Sequence, residues 1–308
     1  ANMDVDALFG LCKDETGAHI DSLSRKRCCY LNSAGRTILP SPVYQEGLVG
    51  LSCKLTPWRG MGSDDVADII RQRFGRLINS PACSIAIAPT TSFAMSLAAS
   101  NIANDSSLKV DDTIVVLGDQ MGSNVLPWQN LCTQRGLKLK VVPNPSRHLL
   151  GAESWTTAII KAIDHSVRIV AIPVVHWGTG VHLDMITICR KLREVQHGSS
   201  SYFVIDGTQS IGALEFDVQA IGADFVACSV HKWLCGAYGT SLMYVHPKYH
   251  RVWQPLDHHE KNRLGSDDVY QWDEVGAMSS DGFPTEFMRG ARRFDSGGRP
   301  NPILLPML

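Results

Sequence analysis

The chain has 308 residues, 44% apolar and 19% charged, with a net charge of −1. That is the balance of an ordinary globular protein with one large domain or two smaller ones. There is no block of like charge, no basic stripe, no apolar run near the roughly 20 residues of a spanning helix, and no basic and apolar leader at Ala1-Asn2-Met3-Asp4; nucleic acid and membrane are therefore not expected as partners.

In chain order, Asp64 to Ile78 sets Val66, Ile69, Ile70, Phe74, Leu77 and Ile78 at helical spacing, with Ser63 as its N-cap. Strand-like and helix-like segments then alternate. Ser84 to Ala88 reads as a strand and Phe93 to Asn101 as a helix; Ile114 to Leu117 as a strand and Trp128 to Arg135 as a helix. Lys138 to Val142 and Trp155 to Ile163 form the next pair, and Ile169 to Val175 and Met185 to Gln196 the one after. Tyr202 to Ile205, Phe225 to Cys228 and Ser241 to Val245 complete the strands. Short, nearly uninterrupted apolar runs suit strands buried on both faces, and their alternation with helices predicts an α/β fold with a mostly parallel sheet of about seven strands. From about Tyr249 the pattern loosens, and Asp257 to Asp281 reads as surface loops.

The nine cysteines are odd in number and none is spaced C-x-x-C. With Cys83, Cys189 and Cys228 in apolar stretches, buried thiols and a reducing, cytoplasmic setting are expected rather than a disulfide framework or a zinc site. His258-His259-Glu260 is read as a solvated loop, so no metal is expected. Structural salt bridges are expected for Arg263 and Arg293.

Two apolar strands end in the polar groups that carry chemistry. Phe203-Val204-Ile205-Asp206-Gly207-Thr208-Gln209 is one, and Phe225-Val226-Ala227-Cys228-Ser229-Val230-His231-Lys232 the other. Ligand groups of open α/β sheets gather at the carboxyl ends of strands, so Asp206 and Lys232 are placed at the tips of neighbouring strands. An acid and a lysine so placed suit pyridoxal phosphate: the lysine holds the aldehyde as a Schiff base and the carboxylate pairs with the pyridine nitrogen. Pro89-Thr90-Thr91-Ser92-Phe93-Ala94, between a strand and a helix, can hold the phosphate on hydroxyls and free amides. The bland alternatives are a solvated lysine, an aspartate helix cap and simple capping by Thr91 and Ser92. No P-loop and no G-x-G-x-x-G motif occurs, which disfavours a nucleotide.

Asp206 with Ser229-Val230-His231-Lys232 resembles the cofactor-binding core of class V aminotransferase-fold enzymes, among them cysteine desulfurases, cysteine lyases and isopenicillin N epimerase-like proteins. Most of the chain takes part in the resemblance. Tyr30-Leu31-Asn32-Ser33-Ala34-Gly35 is similar to the substrate-contacting N-terminal segment, which makes Ala34 and Gly35 substrate-binding candidates. Leu117 to Trp128 is similar to the segment that stacks on the cofactor ring, and His176-Trp177-Gly178-Thr179-Gly180 to the loop beside the phenolic oxygen. Gly290 to Gly298 resembles the turn into a small domain.

The resemblance implies Lys232 as Schiff-base lysine and proton shuttle, Asp206 on the pyridine nitrogen and Gln209 on the phenolic oxygen. It implies Thr91, Ser92, Ser229 and His231 on the phosphate, Met121 on the ring and Thr179 nearby, in a homodimer acting on a small amino-acid substrate. Residues 1–50 are then an N-terminal segment, 51–290 the large cofactor-binding domain, and 291–308 the start of a truncated small C-terminal domain. In the family that small domain carries an arginine for the substrate carboxylate and, in desulfurases, the nucleophilic cysteine; neither position has a match here. The reaction expected is C–S lysis of the desulfurase kind or epimerisation, with transamination as an alternative. A non-catalytic cofactor-binding protein or inactive fragment is the other.

Overall fold

In a computed structural model, the described residues are 30–59, 64–145, 154–196, 200–264, 279–280, 282–298 and 301–308, with the backbone of a short ladder pairing Cys12–Lys13 and His19–Ile20. Ser63, Cys28, Cys29 and much of the 257–281 stretch lie outside them.

Seven strands form one sheet: β1 (Ile85–Ala88), β2 (Thr113–Leu117), β3 (Lys138–Val142), β4 (Val167–Pro173), β5 (Tyr202–Asp206), β6 (Phe225–Ser229) and β7 (Ser241–Val245). Their order across the sheet is β1-β7-β6-β5-β4-β2-β3. β7 runs antiparallel to both of its neighbours, β1 and β6, and every other pairing is parallel. Apart from the edge strand β3, which is largely open, both faces of the strands are buried, which is why they read as continuous apolar runs rather than as alternating ones. Val170, Ile172, Phe203, Ile205 and Val226 point to one face, and Ile169, Ala171, Val204, Phe225 and Ala227 to the other.

Helices cover both faces. α2 (Asp64–Leu77), α5 (Trp155–Ala162) and α6 (Met185–Gln196) pack Phe74, Ile159, Ile188 and Leu192 on the first. α3 (Thr91–Ala103) and α4 (Leu126–Arg135) pack Met95, Leu97, Ala98, Trp128 and Leu131 on the second. α1 (Ser41–Cys53) precedes them and the four-residue α7 (Val218–Ile221) lies between β5 and β6. α1 is absent from the sequence reading. Its buried positions are the glycines Gly47 and Gly50, which lie against Met307 and the Pro302 carbonyl, so no apolar stripe of large residues announces it. Residues 301–308 thus pack on α1.

The chain runs from β2 outward to β3 and then returns to add β4, β5 and β6 on the other side of β2. That reversal of direction opens a crevice at the carboxyl ends of β2 and β4, where doubly wound sheets bind ligands.

Two expectations are corrected. Cys83 is exposed while Cys189 and Cys228 are buried, because Cys83 sits in the short 3-10 turn Ala82–Ser84 ahead of β1 rather than in the strand. Among the described residues, Arg263 and Arg293 make no salt bridge. Their guanidinium carbons lie 3.8 and 4.1 Å from the Phe287 ring centre, and each donates to a carbonyl, Arg263 to Thr285 and Arg293 to His250.

Candidate active site

A cavity of about 160 Å³ lies in that crevice. Gln120 and Met121 reach it from the turn after β2, Pro173, Val175 and Trp177 from β4 and the turn after it, and Asp206, Thr208 and Gln209 from the end of β5. Ser229, His231 and Lys232 reach it from β6 and the loop that follows, and Thr91 from the start of α3. β5 and β6 are paired in parallel with Asp206 opposite Ala227, so the acid and the lysine loop share one rim.

Asp206 is 7% exposed. Its Oδ1 accepts the Thr208 N–H at 3.0 Å, and burial pushes its carboxyl above the ordinary range against the lowering effects of Thr208 and the Lys232 charge. A buried carboxylate held by one amide, one hydroxyl and a lysine charge is short of a cationic donor. A pyridinium N–H is such a donor.

The hydroxyls form a second feature. Thr91 Oγ1 lies 2.6 Å from Ser229 Oγ and 3.3 Å from Ser241 Oγ, and Ser229 N–H donates to Thr208 Oγ1 at 3.2 Å. Thr90 caps α3 by accepting Phe93 N–H at 3.1 Å, while the first intrahelical bond runs from Ala94 N–H to the Thr90 carbonyl. The amides of Thr91 and Ser92 therefore have no intrahelical acceptor and lie at the positive end of the helix dipole. His231 stacks on Tyr238 with ring centres 4.2 Å apart, and burial, then the Lys232 charge, push its imidazole below the ordinary value.

Gln209 donates from Nε2 to the Ala34 carbonyl at 3.0 Å and accepts the Trp233 indole N–H at 2.9 Å. Its amide keeps one N–H for a ligand. The bond to Ala34 seats the N-terminal turn beside the pocket, and Gly35 closes that turn by donating to the Asn32 carbonyl at 3.0 Å.

Two of the residues expected on the cofactor are placed differently. Ser92 is exposed, with Oγ 2.9 Å from Thr90 Oγ1. Thr179 Oγ1 lies 3.2 Å from His176 Nδ1. Neither lines the pocket. Gln120, Trp177 and Thr208 line it and were not singled out by sequence, although Gln120 and Thr208 lie beside Met121 and Gln209, and Trp177 two positions before Thr179. Ser241 joins the hydroxyl cluster from the start of a strand, where the rule of carboxyl ends does not look. His258 accepts from Arg263 and His259 Nε2 contacts the Asp295 carbonyl, so these adjacent rings turn to different partners.

A ring-sized cavity is what this site offers: about 150 Å³ holds a benzene ring. With a buried acid at one end, a hydroxyl and amide cradle at another and a lysine on the rim, fold and site define a pyridoxal-phosphate-type large domain. The chain belongs to the class V aminotransferase family, whose description it matches over residues 30–278. A probable cysteine desulfurase of Methanothermobacter thermautotrophicus is 29% identical over 220 residues, 71% of this chain and 50% of that protein. The chain spans about half the length of the curated relatives it matches. Among solved structures, the apo cysteine desulfurase of Thermococcus onnurineus superposes with a TM-score of 0.72 at 21% identity, covering 90% of this chain and 65% of that one. The cystine C–S lyase C-DES, in complex with its reaction product cysteine persulfide, superposes with a TM-score of 0.74 at 19% identity, covering 90% and 69%.

Proposed function

We propose that this chain binds pyridoxal 5′-phosphate and belongs to an enzyme acting at the α-carbon of an amino acid, with C–S bond cleavage of the cysteine desulfurase or C–S lyase kind. The observation that carries the reading is the convergence of buried Asp206 and Lys232 on one ring-sized pocket. The names of the relatives favour C–S chemistry on a cysteine-like substrate.

Asp206 would hold the pyridine nitrogen, and Gln209 would give its remaining N–H to the phenolic oxygen. Thr91, Ser229 and His231, with the amides of Thr91 and Ser92, would hold the phosphate. Met121 would pack on a ring face through its polarizable sulfur. Ala34 and Gly35 would border the substrate, and Thr179 would act from behind the pocket wall. The cofactor supplies an electron sink for the substrate α-carbon. Lys232, on the pocket rim, takes and returns the Cα proton. Met121 holds no transferable proton, so it gives none of the acid–base help that a histidine there would give to desulfuration; epimerase-like chemistry is the second reading.

Residues 1–50, 51–290 and 291–308 are proposed as N-terminal segment, cofactor-binding domain and the beginning of a small domain. The assembly is proposed as a homodimer, supported by the exposed Tyr44, Leu48 and Leu51 along one side of α1 and Leu55 just beyond its end. A cytoplasmic setting is supported by the free thiols of the six described cysteines; no described helix is long and apolar enough to cross a membrane.

The test is the absorbance of purified protein titrated with pyridoxal phosphate, wild type against Lys232→Ala. A near-visible band that borohydride fixes covalently in the wild type alone supports the reading. No band in either protein overturns it.

A further inference from the structure

Two consecutive residues after β4 grip two consecutive carbonyls after β2. His176 is fully buried, its ring stacks on Trp155 with centres 5.0 Å apart, and its Nε2 lies 3.0 Å from the Gly118 carbonyl oxygen. A carbonyl can only accept, so Nε2 carries the proton. Nδ1 is then free to accept the Thr179 hydroxyl, 3.2 Å away. Trp177 donates from its indole nitrogen to the Asp119 carbonyl at 2.6 Å. Asp119 has φ +57°, a left-handed conformation that a non-glycine residue keeps where its surroundings fix it. Inside the same turn, the Gln120 side chain accepts Leu117 N–H at 2.9 Å and donates to the Asn124 carbonyl at 3.0 Å. Met121, next in sequence, is the residue this turn presents to the pocket together with Gln120.

We propose that His176 and Trp177 are positioning residues, a two-point clamp that fixes the 118–121 turn and thereby the place of Met121 in the pocket wall. Thr179 and Trp155 act through His176: one bonds Nδ1, the other holds the plane of the ring. This gives Thr179 a part in the site without contact with the pocket. The functional half of the inference rests on the pyridoxal-phosphate reading; the mechanical half does not.

Trp177→Phe keeps an aromatic ring and removes the N–H, at a half-exposed position where folding is not at stake. His176→Phe keeps a ring to stack on Trp155 and removes the bond to Gly118. Hydrogen–deuterium exchange of the 118–124 amides in cofactor-free protein is expected to rise about tenfold in each, the measure of one lost hydrogen bond. Affinity for pyridoxal phosphate is expected to fall by about the same factor, with a changed induced circular dichroism of the bound cofactor. Unchanged exchange in both variants overturns the clamp. Faster exchange with unaltered affinity and dichroism overturns its part in the site. A wild type that takes up no pyridoxal phosphate overturns the reading of the site instead, and the exchange measurement alone then decides the clamp.

Discussion

Thr91 Oγ1 and Ser229 Oγ lie 2.6 Å apart although 138 residues separate them in sequence. The contact ties the first turn of α3 to the last residue of β6, so the helix amides and the strand-end hydroxyl form one cradle for an anion. Removing a bond from such a cradle to a charged phosphate costs about 1.5–3 kcal/mol, or roughly 10- to 150-fold in affinity. Thr91→Val is therefore expected to raise the dissociation constant of pyridoxal phosphate by that factor while leaving that of pyridoxal, which lacks the phosphate, within about twofold. Paired absorbance titrations check this, and equal losses for the two ligands would sink the phosphate assignment.

Asp206 makes a pH prediction whose sign follows from burial. Its folded carboxyl keeps its proton to a higher pH than the unfolded one, so between the two values the native state binds more protons. Its contribution to stability is fully present below the unfolded pKa and is lost as pH rises through the folded one. In cofactor-free protein, Asp206→Asn is expected to flatten that decline as pH rises past the ordinary carboxylate value. Urea midpoints across the range check it; parallel curves for the two proteins would contradict the account.

Asp224 has the opposite sign. It is 1% exposed and accepts from Phe203 N–H at 2.7 Å, Tyr249 O–H at 2.9 Å, and Arg193 and Lys248 at 2.5 Å each. Burial raises its carboxyl, but the Arg193 and Lys248 charges outweigh this and hold it below the ordinary value. Its contribution is present above the unfolded pKa and is lost as pH falls through the depressed one. Arg193 and Lys248 are partly exposed, so Asp224→Asn is expected to cost about 2–3 kcal/mol at neutral pH rather than the full penalty of a buried pair. A chemical melt at pH 7 and again near pH 3 should show the difference shrinking in acid.

Gly212 has φ +95°, and a Cβ there would stand 2.6 Å from the Trp233 carbonyl oxygen. Gly212→Ala therefore meets both a left-handed backbone and the residue after the lysine, at a combined cost of about 2–4 kcal/mol. Thermal melting should reveal the loss, and borohydride trapping of pyridoxal phosphate on Lys232 should fall with it. A stable variant with normal trapping would show that the Lys232-Trp233 backbone yields freely.

Much of this was legible in the residues: burial on both faces leaves an apolar run in Tyr202–Asp206 and Ser241–Val245, and helical spacing marks Met185–Gln196. Lys138–Val142, Met185–Gln196 and Ser241–Val245 have the bounds the sequence predicts, and strand-end polarity marked Asp206 and Ser229. What escaped depends on long-range placement. α1 docks through two glycines, which sequence punctuation reads as breakers. Thr179 and Trp177 differ by two positions, yet one faces the pocket and the other a buried histidine, and only the fold of the turn decides which. Arg263 and Arg293 chose a ring and carbonyls over a carboxylate, a choice their sequence neighbours do not encode.

The reversal of β7 carries a mechanical consequence for the lysine. Because β7 starts at the rim where β6 ends, with Ser229 and Ser241 directly paired, residues 230–240 leave and return at one edge. Gly236 N–H closes back on the Val230 carbonyl at 2.9 Å, so Lys232 rides on a short loop pinned at both feet. A lysine mounted this way can swing its flexible four-carbon arm while its anchor stays put. Reach and rigidity are thereby assigned to different parts of the same residue.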